Sequence, residues 1–159
     1  MSQAGNRERV VAASGSYFTA TLAQNAGLSA RIPLPESVAA GRHARCLVQT
    51  LQIVSADQLD WEVWLFGNKQ FQNAGHPDQE SFCGYWAFSV AGGDGKQIGA
   101  TGLYHYYIDG LGVQYLDEDG HNDIAAGCFL NVVLVNRSAG AKTANGWFQM
   151  IFGVEPTLD

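Results

Sequence analysis

Residues 60–66 read Asp60-Trp61-Glu62-Val63-Trp64-Leu65-Phe66. The side chains of a β-strand point alternately to its two faces, which places Trp61, Val63 and Leu65 together on one face. Because that face is wholly apolar, it is predicted to lie in a hydrophobic core. The opposite face combines two acids with the rings of Trp64 and Phe66, which a monomer does not normally leave in water.

A longer apolar run follows later in the chain and reads Cys128-Phe129-Leu130-Asn131-Val132-Val133-Leu134-Val135-Asn136. It is apolar on both faces except at Asn131 and the terminal Asn136, as expected for a strand that is covered on both sides. In the last predicted strand, Trp147 and Ile151 lie opposite the core face. Surplus apolar surface on the second face of three strands predicts a subunit or partner interface, or a loop of the same chain folded over that face.

Short apolar runs separated by glycine-rich turns continue along the rest of the chain, and no stretch shows a helical period. The predicted strands lie near Val10–Ser16, Tyr17–Leu22, Ala30–Leu34, Cys46–Ser55, Asp60–Phe66, Phe82–Ala91, Leu103–Ile108, Gly112–Tyr115, Cys128–Asn136 and Gly146–Glu155. Roughly eight to ten short strands predict an all-β, single-domain β-sandwich or jelly roll over residues 8–159. A short flexible N-terminal arm is predicted for residues 1–7.

Composition excludes several classes of partner. The 159 residues include 9 basic and 15 acidic side chains, a net charge of −6, and the few cations form no patch that would bind nucleic acid. No apolar run approaches the roughly 20 residues that span a bilayer, and the N-terminus lacks the apolar core of a signal peptide. The three cysteines, Cys46, Cys83 and Cys128, have the wide spacing of reduced thiols in a cytoplasm.

Motifs for catalysis and cofactor binding are weak throughout the chain. The stretch Gly92–Lys96 resembles a phosphate-binding loop, but Val90 replaces the first glycine and Gln97 replaces the magnesium-binding hydroxyl. A glycine hairpin turn is predicted there instead. His105, within the aromatic run Tyr104–Tyr107, could line a cupin-like metal pocket but is predicted to be a polar residue of a strand. We therefore predict no enzymatic activity and no cofactor.

The densest polar cluster is the acidic stretch Asp117–Asp123. Oxygen ligands at Asp117, Asp119 and Asp123 could hold calcium. The glutamate that closes an EF-hand loop is absent, because Cys128 stands at its position when counted from Asp117. A solvated acidic loop is predicted, with a calcium site as the alternative.

Two acids beside an aromatic ring suggest a sugar site. Asp60 and Glu62 lie two residues apart on a strand, about 7 Å, beside Trp64. This separation is compatible with a glycosidase, and the same residues suit a non-catalytic sugar groove. Acids on the solvent face of a strand are also commonplace.

The stretch Tyr115–Pro156 carries a resemblance to a known group of proteins. It contains an acidic turn at Leu116–Asp119, an apolar strand that ends in Val135–Ser138, an Ala/Lys/Gly loop, and a last strand that ends in Glu155-Pro156. This combination resembles a group of small β-sandwich proteins that tailed bacteriophages encode among their head genes. Residues 55–66 are similar to the second strand pair of the same group.

The resemblance implies a capsid decoration or cement protein. Such proteins bind the major capsid protein on the outside of an icosahedral head, often as trimers, after synthesis in the host cytoplasm. The same fold type also serves in baseplates and tail fibres. No residue is carried over from the group as a functional site.

The interface is predicted from the residues themselves, in a homo-oligomer that we expect to be a trimer. The predicted interface residues are Trp64, Phe66, Trp147 and Ile151, with Arg9 and Val10 beside the N-terminal arm as a second region. The rival hypothesis is a carbohydrate-binding module or a tail or baseplate adhesin. In that case the ring of Trp64, or the aromatic side chains of Tyr104–Tyr107, would stack on a sugar.

Overall fold

The computed structural model describes residues 10–13, 18–19, 22–34, 45–67, 82–97, 99–100, 102–118, 128–138 and 147–156. The arm predicted for residues 1–7 lies outside the described residues, as do Arg9, Asp119 and Asp123. For Val10 and Trp147 only the backbone is described.

The described residues form eleven β-strands, of which nine are four residues or longer. They are β1 (Val10–Ala13), β2 (Phe18–Thr19), β3 (Gly27–Pro33), β4 (Arg45–Ser55), β5 (Trp61–Phe66), β6 (Phe82–Phe88), β7 (Lys96–Gln97), β8 (Tyr104–Ile108), β9 (Val113–Leu116), β10 (Phe129–Asn136) and β11 (Trp147–Pro156). No helix long and apolar enough to cross a membrane occurs in these ranges. The prediction of an all-β sandwich is confirmed.

The strands form two antiparallel sheets. The seven-stranded sheet has the order β1-β11-β4-β8-β7, with β2 also paired to β11 and β9 also paired to β4. The four-stranded sheet has the order β3-β10-β5-β6. Strand β4 is the longest, at 11 residues. The edge of β4 opposite β11 therefore pairs with two strands, β9 along its first half and β8 along its second half.

The hydrophobic core lies between the two sheets. Trp61, Val63 and Leu65 on β5 have no exposed surface, so the core face predicted for this strand is confirmed. The facing sheet contributes the inward side chains of β4 and β11, and the ring of Phe148 lies 5.5 Å from that of Trp61 between centroids. The other fully buried large side chains of the core are Tyr106, Tyr115, Phe152, Ile32, Leu51, Ile53, Leu130 and Leu134.

A tyrosine hydroxyl joins the sheets at one end of the core. Tyr106 on β8 donates a hydrogen bond to the carbonyl oxygen of Leu59 at 2.7 Å and accepts one from the Leu59 amide at 2.9 Å. Leu59 directly precedes Asp60 and strand β5, so the contact links one sheet to the other. Both polar groups of the Leu59 backbone are thereby satisfied inside the protein, where an unpaired group is costly.

A second tyrosine joins the sheets at the opposite end of β5. The hydroxyl of Tyr115 on β9 donates to the carbonyl oxygen of Phe129 at 2.7 Å and accepts from the Asn131 amide at 3.1 Å. Just beyond β9, the amide of Glu118 donates to the carbonyl oxygen of Gly67 at 2.7 Å. The end of β9 therefore connects to the start of β10 and the end of β5.

The glycine-rich stretch Gly92–Lys96 forms a tight turn, but it is not a hairpin. It leads from β6 in the four-stranded sheet to β7 in the seven-stranded sheet, so the strands on its two sides do not pair with each other. Strand β7 itself lies in a stretch that the sequence predicted as turns. Gly95 has a φ of 71°, and a Cβ there would lie 2.8 Å from the Tyr106 side chain. Glycine is therefore required on both conformational and steric grounds.

A β-bulge in β4 keeps both halves of this strand facing the core. Gly153 pairs with Thr50 and Val154 pairs with Val48, which leaves Gln49 as an extra residue. Without it, period-2 alternation would turn one half of the strand outward. A Cβ at Gly153 would overlap the side chain of Thr50, so this close approach also requires glycine.

We expect Tyr106→Phe to lower the free energy of unfolding by about 1–3 kcal/mol, because it leaves the buried Leu59 amide and carbonyl without a partner. Urea denaturation measures the change. The matched control is Tyr85→Phe, whose hydroxyl belongs to a side chain that is 58% exposed. The control should stay within about 0.5 kcal/mol of the wild type. Equal effects of the two substitutions would contradict the role assigned to Tyr106.

We also expect the protein to lose stability at alkaline pH. Burial raises the pKa of the Cys46 thiol from 9.0 to about 12, and burial raises the pKa of Tyr106 from 10.0 to about 12. The folded state therefore holds these protons more tightly than the unfolded state, so stability is complete below about pH 9 and falls as the pH rises toward 12. Thermal denaturation across this range tests the expectation, and Cys46→Ala should make the loss shallower.

Candidate functional site

One candidate surface is a groove on the outer face of the four-stranded sheet. It lies between β5 and β6, has a volume of about 210 Å³, and is lined by Glu62, Trp64, Phe82 and Tyr85. Trp64 and Tyr85 are direct neighbours across the two strands. Three aromatic rings and one carboxylate thus surround a single shallow depression.

A β-bulge in β6 creates this arrangement. Cys83 is an extra residue in β6, because the residues on either side of it pair with consecutive residues of β5. The extra residue turns Phe82 to the same outer face as Tyr85, three positions further along, which regular alternation would not do. The Phe82 ring then packs edge-on against Phe66, with 5.8 Å between centroids. Phe82 and Tyr85 remain 45% and 58% exposed.

A small apolar cluster on the outer face of the sheet shares Trp64 with the groove. It is formed by Trp64, Phe66, Val133 and Val135. Trp64 is 8% exposed and Phe66 is 1% exposed in the single chain. Both rings are therefore buried within a single chain, which agrees with the second alternative stated for this face, cover by residues of the same chain, rather than with surplus exposed surface. Their predicted role in a subunit interface loses its original argument and stays a prediction.

Polar groups at one end of the groove hold Trp64 in place. The indole Nε1 of Trp64 donates to Oε1 of Glu62, and Nε of Arg137 donates to Oε2 of Glu62 at 3.2 Å. The Arg137 guanidinium also donates from Nη1 to Oδ1 of Asn25 at 2.8 Å and lies 5.8 Å from the centre of the Trp64 ring. Glu62 and Trp64 are thus held by their neighbours, so this part of the groove is preorganised.

The two carboxylates considered for a glycosidase, those of Asp60 and Glu62, accept hydrogen bonds in different parts of the structure. Oδ1 of Asp60 accepts a hydrogen bond from the Val90 amide at 2.7 Å, and the Asp60 amide donates to Oγ of Ser138 at 2.8 Å. Asp60 thus anchors the turn after β6 and is not among the residues that line the groove. Glu62 alone lies at the groove. This geometry suits binding of a ligand better than glycoside hydrolysis, which needs two carboxylates at one glycosidic bond.

The first residue of the predicted acidic loop is part of the fold. Asp117 has no exposed surface, and its Oδ2 accepts a hydrogen bond from the Phe129 amide at 2.6 Å. Its Oδ1 lies 3.5 Å from Nδ2 of Asn131. Asp119 and Asp123 lie outside the described residues. Within the described ranges no three His, Cys, Asp or Glu side chains are placed to hold a metal ion.

A second candidate surface lies on the outer face of the seven-stranded sheet. Ile151, Gln52 and Tyr107 are cross-strand neighbours in one row over β11, β4 and β8. Tyr107 is 57% exposed, whereas the preceding Tyr106 points into the core. His105, the residue considered for a cupin-like pocket, lies on the same outer face and is half-buried.

The predicted interface residues do not come together. Trp64 and Phe66 belong to the four-stranded sheet, whereas Ile151 belongs to the seven-stranded sheet. The backbones of Trp147 and Val10 are also in the seven-stranded sheet, where Trp147 pairs with Thr19 and Val10 pairs with Val154.

Sequence reasoning missed Phe82 and Tyr85 as groove residues. Strict alternation over the predicted strand would place them on opposite faces, and the bulge at Cys83 removes that difference. The available signal was Gly84, because an isolated glycine inside a strand often marks a bulge.

No protein-family model matches the chain, and no curated protein matches it. The surfaces described above therefore carry the functional argument.

We expect Asp117→Ala to lower the free energy of unfolding by about 1–3 kcal/mol, because it leaves the Phe129 amide without its acceptor. The loss should be the same with added calcium and with a chelator, measured by thermal or urea denaturation. If calcium instead stabilises the wild type and this effect disappears in Asp117→Ala, the acidic stretch binds calcium and the structural interpretation of Asp117 is incomplete.

Proposed function

We propose that this chain is a non-enzymatic structural protein of a tailed bacteriophage, which binds the major capsid protein and stabilises the head as a homotrimer. In this proposal it is made in the host cytoplasm and resides on the outside of the virion. The resemblance of residues 115–156 to phage head proteins suggests the role. The β-sandwich fold is compatible with it.

The observation that carries the self-association in this proposal is the uncharged row Ile151, Gln52 and Tyr107 on the seven-stranded sheet. Protein interfaces are enriched in aromatic residues and depleted of charges at their centre. Tyr107 offers a large ring with few rotatable bonds, and its side chain is 57% exposed. We assign self-association to this face.

Two features of the four-stranded sheet support a structural role over a catalytic one. The carboxylate of Asp60 holds the Val90 amide, and that of Glu62 holds both Trp64 and Arg137. Neither is an isolated acid or base in a deep cleft. The two tyrosine contacts between the sheets also provide the stiffness that reinforcement of a shell requires.

Light scattering of the purified protein tests self-association, and the expected mass is three times the 17.1 kDa of one chain. Tyr107→Ala should shift the protein toward monomers, by about tenfold or more in the dissociation constant, because it removes the central aromatic contact. Tyr85→Ala is the matched control, since Tyr85 is equally exposed but lies on the other sheet. A monomeric wild type would overturn the trimer.

Co-sedimentation with DNA-free shells of the phage tests the partner. The wild-type protein should pellet with shells and raise their resistance to heat. Protein that stays in the supernatant at saturating shell concentration would contradict the capsid role, whatever its oligomeric state.

A further inference from the structure

We propose that the groove on the four-stranded sheet binds a neutral carbohydrate, with Tyr85 and Phe82 as the stacking surfaces and Glu62 and Arg137 as the hydroxyl-binding groups. This inference goes beyond the capsid role and does not depend on it. It concerns the sheet opposite to the one assigned to self-association.

The aromatic side chains provide the first part of the argument. Tyr85 is 58% exposed and Phe82 is 45% exposed. The bulge at Cys83 is what brings Phe82 to this face, and bulges of this kind commonly re-aim a side chain beside a functional site. Two exposed rings beside the edge of Trp64 offer flat apolar surface to the C–H faces of a sugar ring.

The polar groups provide the second part of the argument: Glu62 lines the groove, and Arg137 is bonded to Glu62 beside it. Both carboxylate oxygens of Glu62 already accept one hydrogen bond, but a carboxylate has about four acceptor sites. Arg137 uses its Nε and Nη1 donors on Glu62 and Asn25, and a guanidinium has further N–H groups to donate. A sugar hydroxyl both donates and accepts, so it can bind an acceptor and a donor that lie side by side.

The charge balance favours a neutral ligand. A cage of aromatic rings with a carboxylate can bind a quaternary ammonium group, because the faces of the rings attract a cation. Here the guanidinium of Arg137 lies 5.8 Å from the Trp64 ring and 3.2 Å from Glu62. The guanidinium of Arg137 therefore already takes the place of a bound cation and neutralises the charge of Glu62. The same pairing removes the net positive charge that an anionic ligand would require.

The size and position of the groove restrict the class of ligand further. A volume of about 210 Å³ is below the range of roughly 300–1,000 Å³ that is usual for drug-sized ligands. The groove lies beside β6, at the edge of the sheet in the order of the described strands. It therefore fits one or two units within a longer glycan, whose chain can continue past the edge.

A printed array of neutral, sialylated and sulfated glycans identifies the ligand. The wild-type protein should bind neutral glycans reproducibly, and titration of the free oligosaccharide into the protein should give a calorimetric Kd. Tyr85→Ala and Phe82→Ala should each weaken that Kd by about tenfold or more, because each removes an aromatic contact. Tyr107→Ala should leave it unchanged.

Several outcomes would overturn the proposal. They are an array on which the wild type binds no neutral glycan, a Kd that Tyr85→Ala leaves unaltered, and retention on choline–agarose that free choline reverses. Urea denaturation of each variant confirms that it is folded. Because Tyr107→Ala acts on self-association and Tyr85→Ala acts on glycan binding, each function can fail without the other.

Discussion

The hydroxyl of Tyr106 sets the position at which β5 begins, and the groove depends on that position. By binding both polar groups of the Leu59 backbone, it fixes the chain just before Asp60. The carbonyl oxygen of Asp60 then accepts the Arg137 amide at 2.8 Å, which places the guanidinium beside Glu62. Glu62 in turn holds the indole of Trp64. A single contact in the core is thus connected, step by step, to the orientation of the Trp64 ring.

Two β-bulges have opposite consequences in the two sheets. The bulge at Gln49 keeps apolar side chains of β4 directed into the core on both sides of the irregularity. The bulge at Cys83 instead turns Phe82 to the outer face, whereas regular alternation from Gly84 would point it into the core. The first protects the packing of the sandwich. The bulge at Cys83 leaves the Phe82 ring outside the core. The lost burial is consistent with the ligand-binding role proposed for this ring.

The two outer faces of the sandwich differ in their chemistry. On the seven-stranded sheet, Tyr107 lies in a flat row with Gln52 and Ile151, which suits contact with another protein. On the four-stranded sheet, the exposed rings surround a depression with an ion pair at its end, which suits a small polar ligand. If both proposals hold, the protein would assemble through one sheet and present the glycan-binding groove of the other sheet in a regular array on the capsid.

The amino-acid sequence by itself determined the approximate positions of the strands other than β7, and the core face of β5, because alternation along a strand is a local property that needs no knowledge of neighbours. It also placed the acids and Trp64 on one face. Only the tertiary structure decided which aromatic rings are open to solvent. Trp64 and Phe66 are buried by residues distant in sequence, whereas Phe82 and Tyr85 are brought together by a bulge whose register depends on the partner strand. The solvent exposure of a side chain depends on all the residues packed around it, and those residues come together only when the strands pair and the sheets pack.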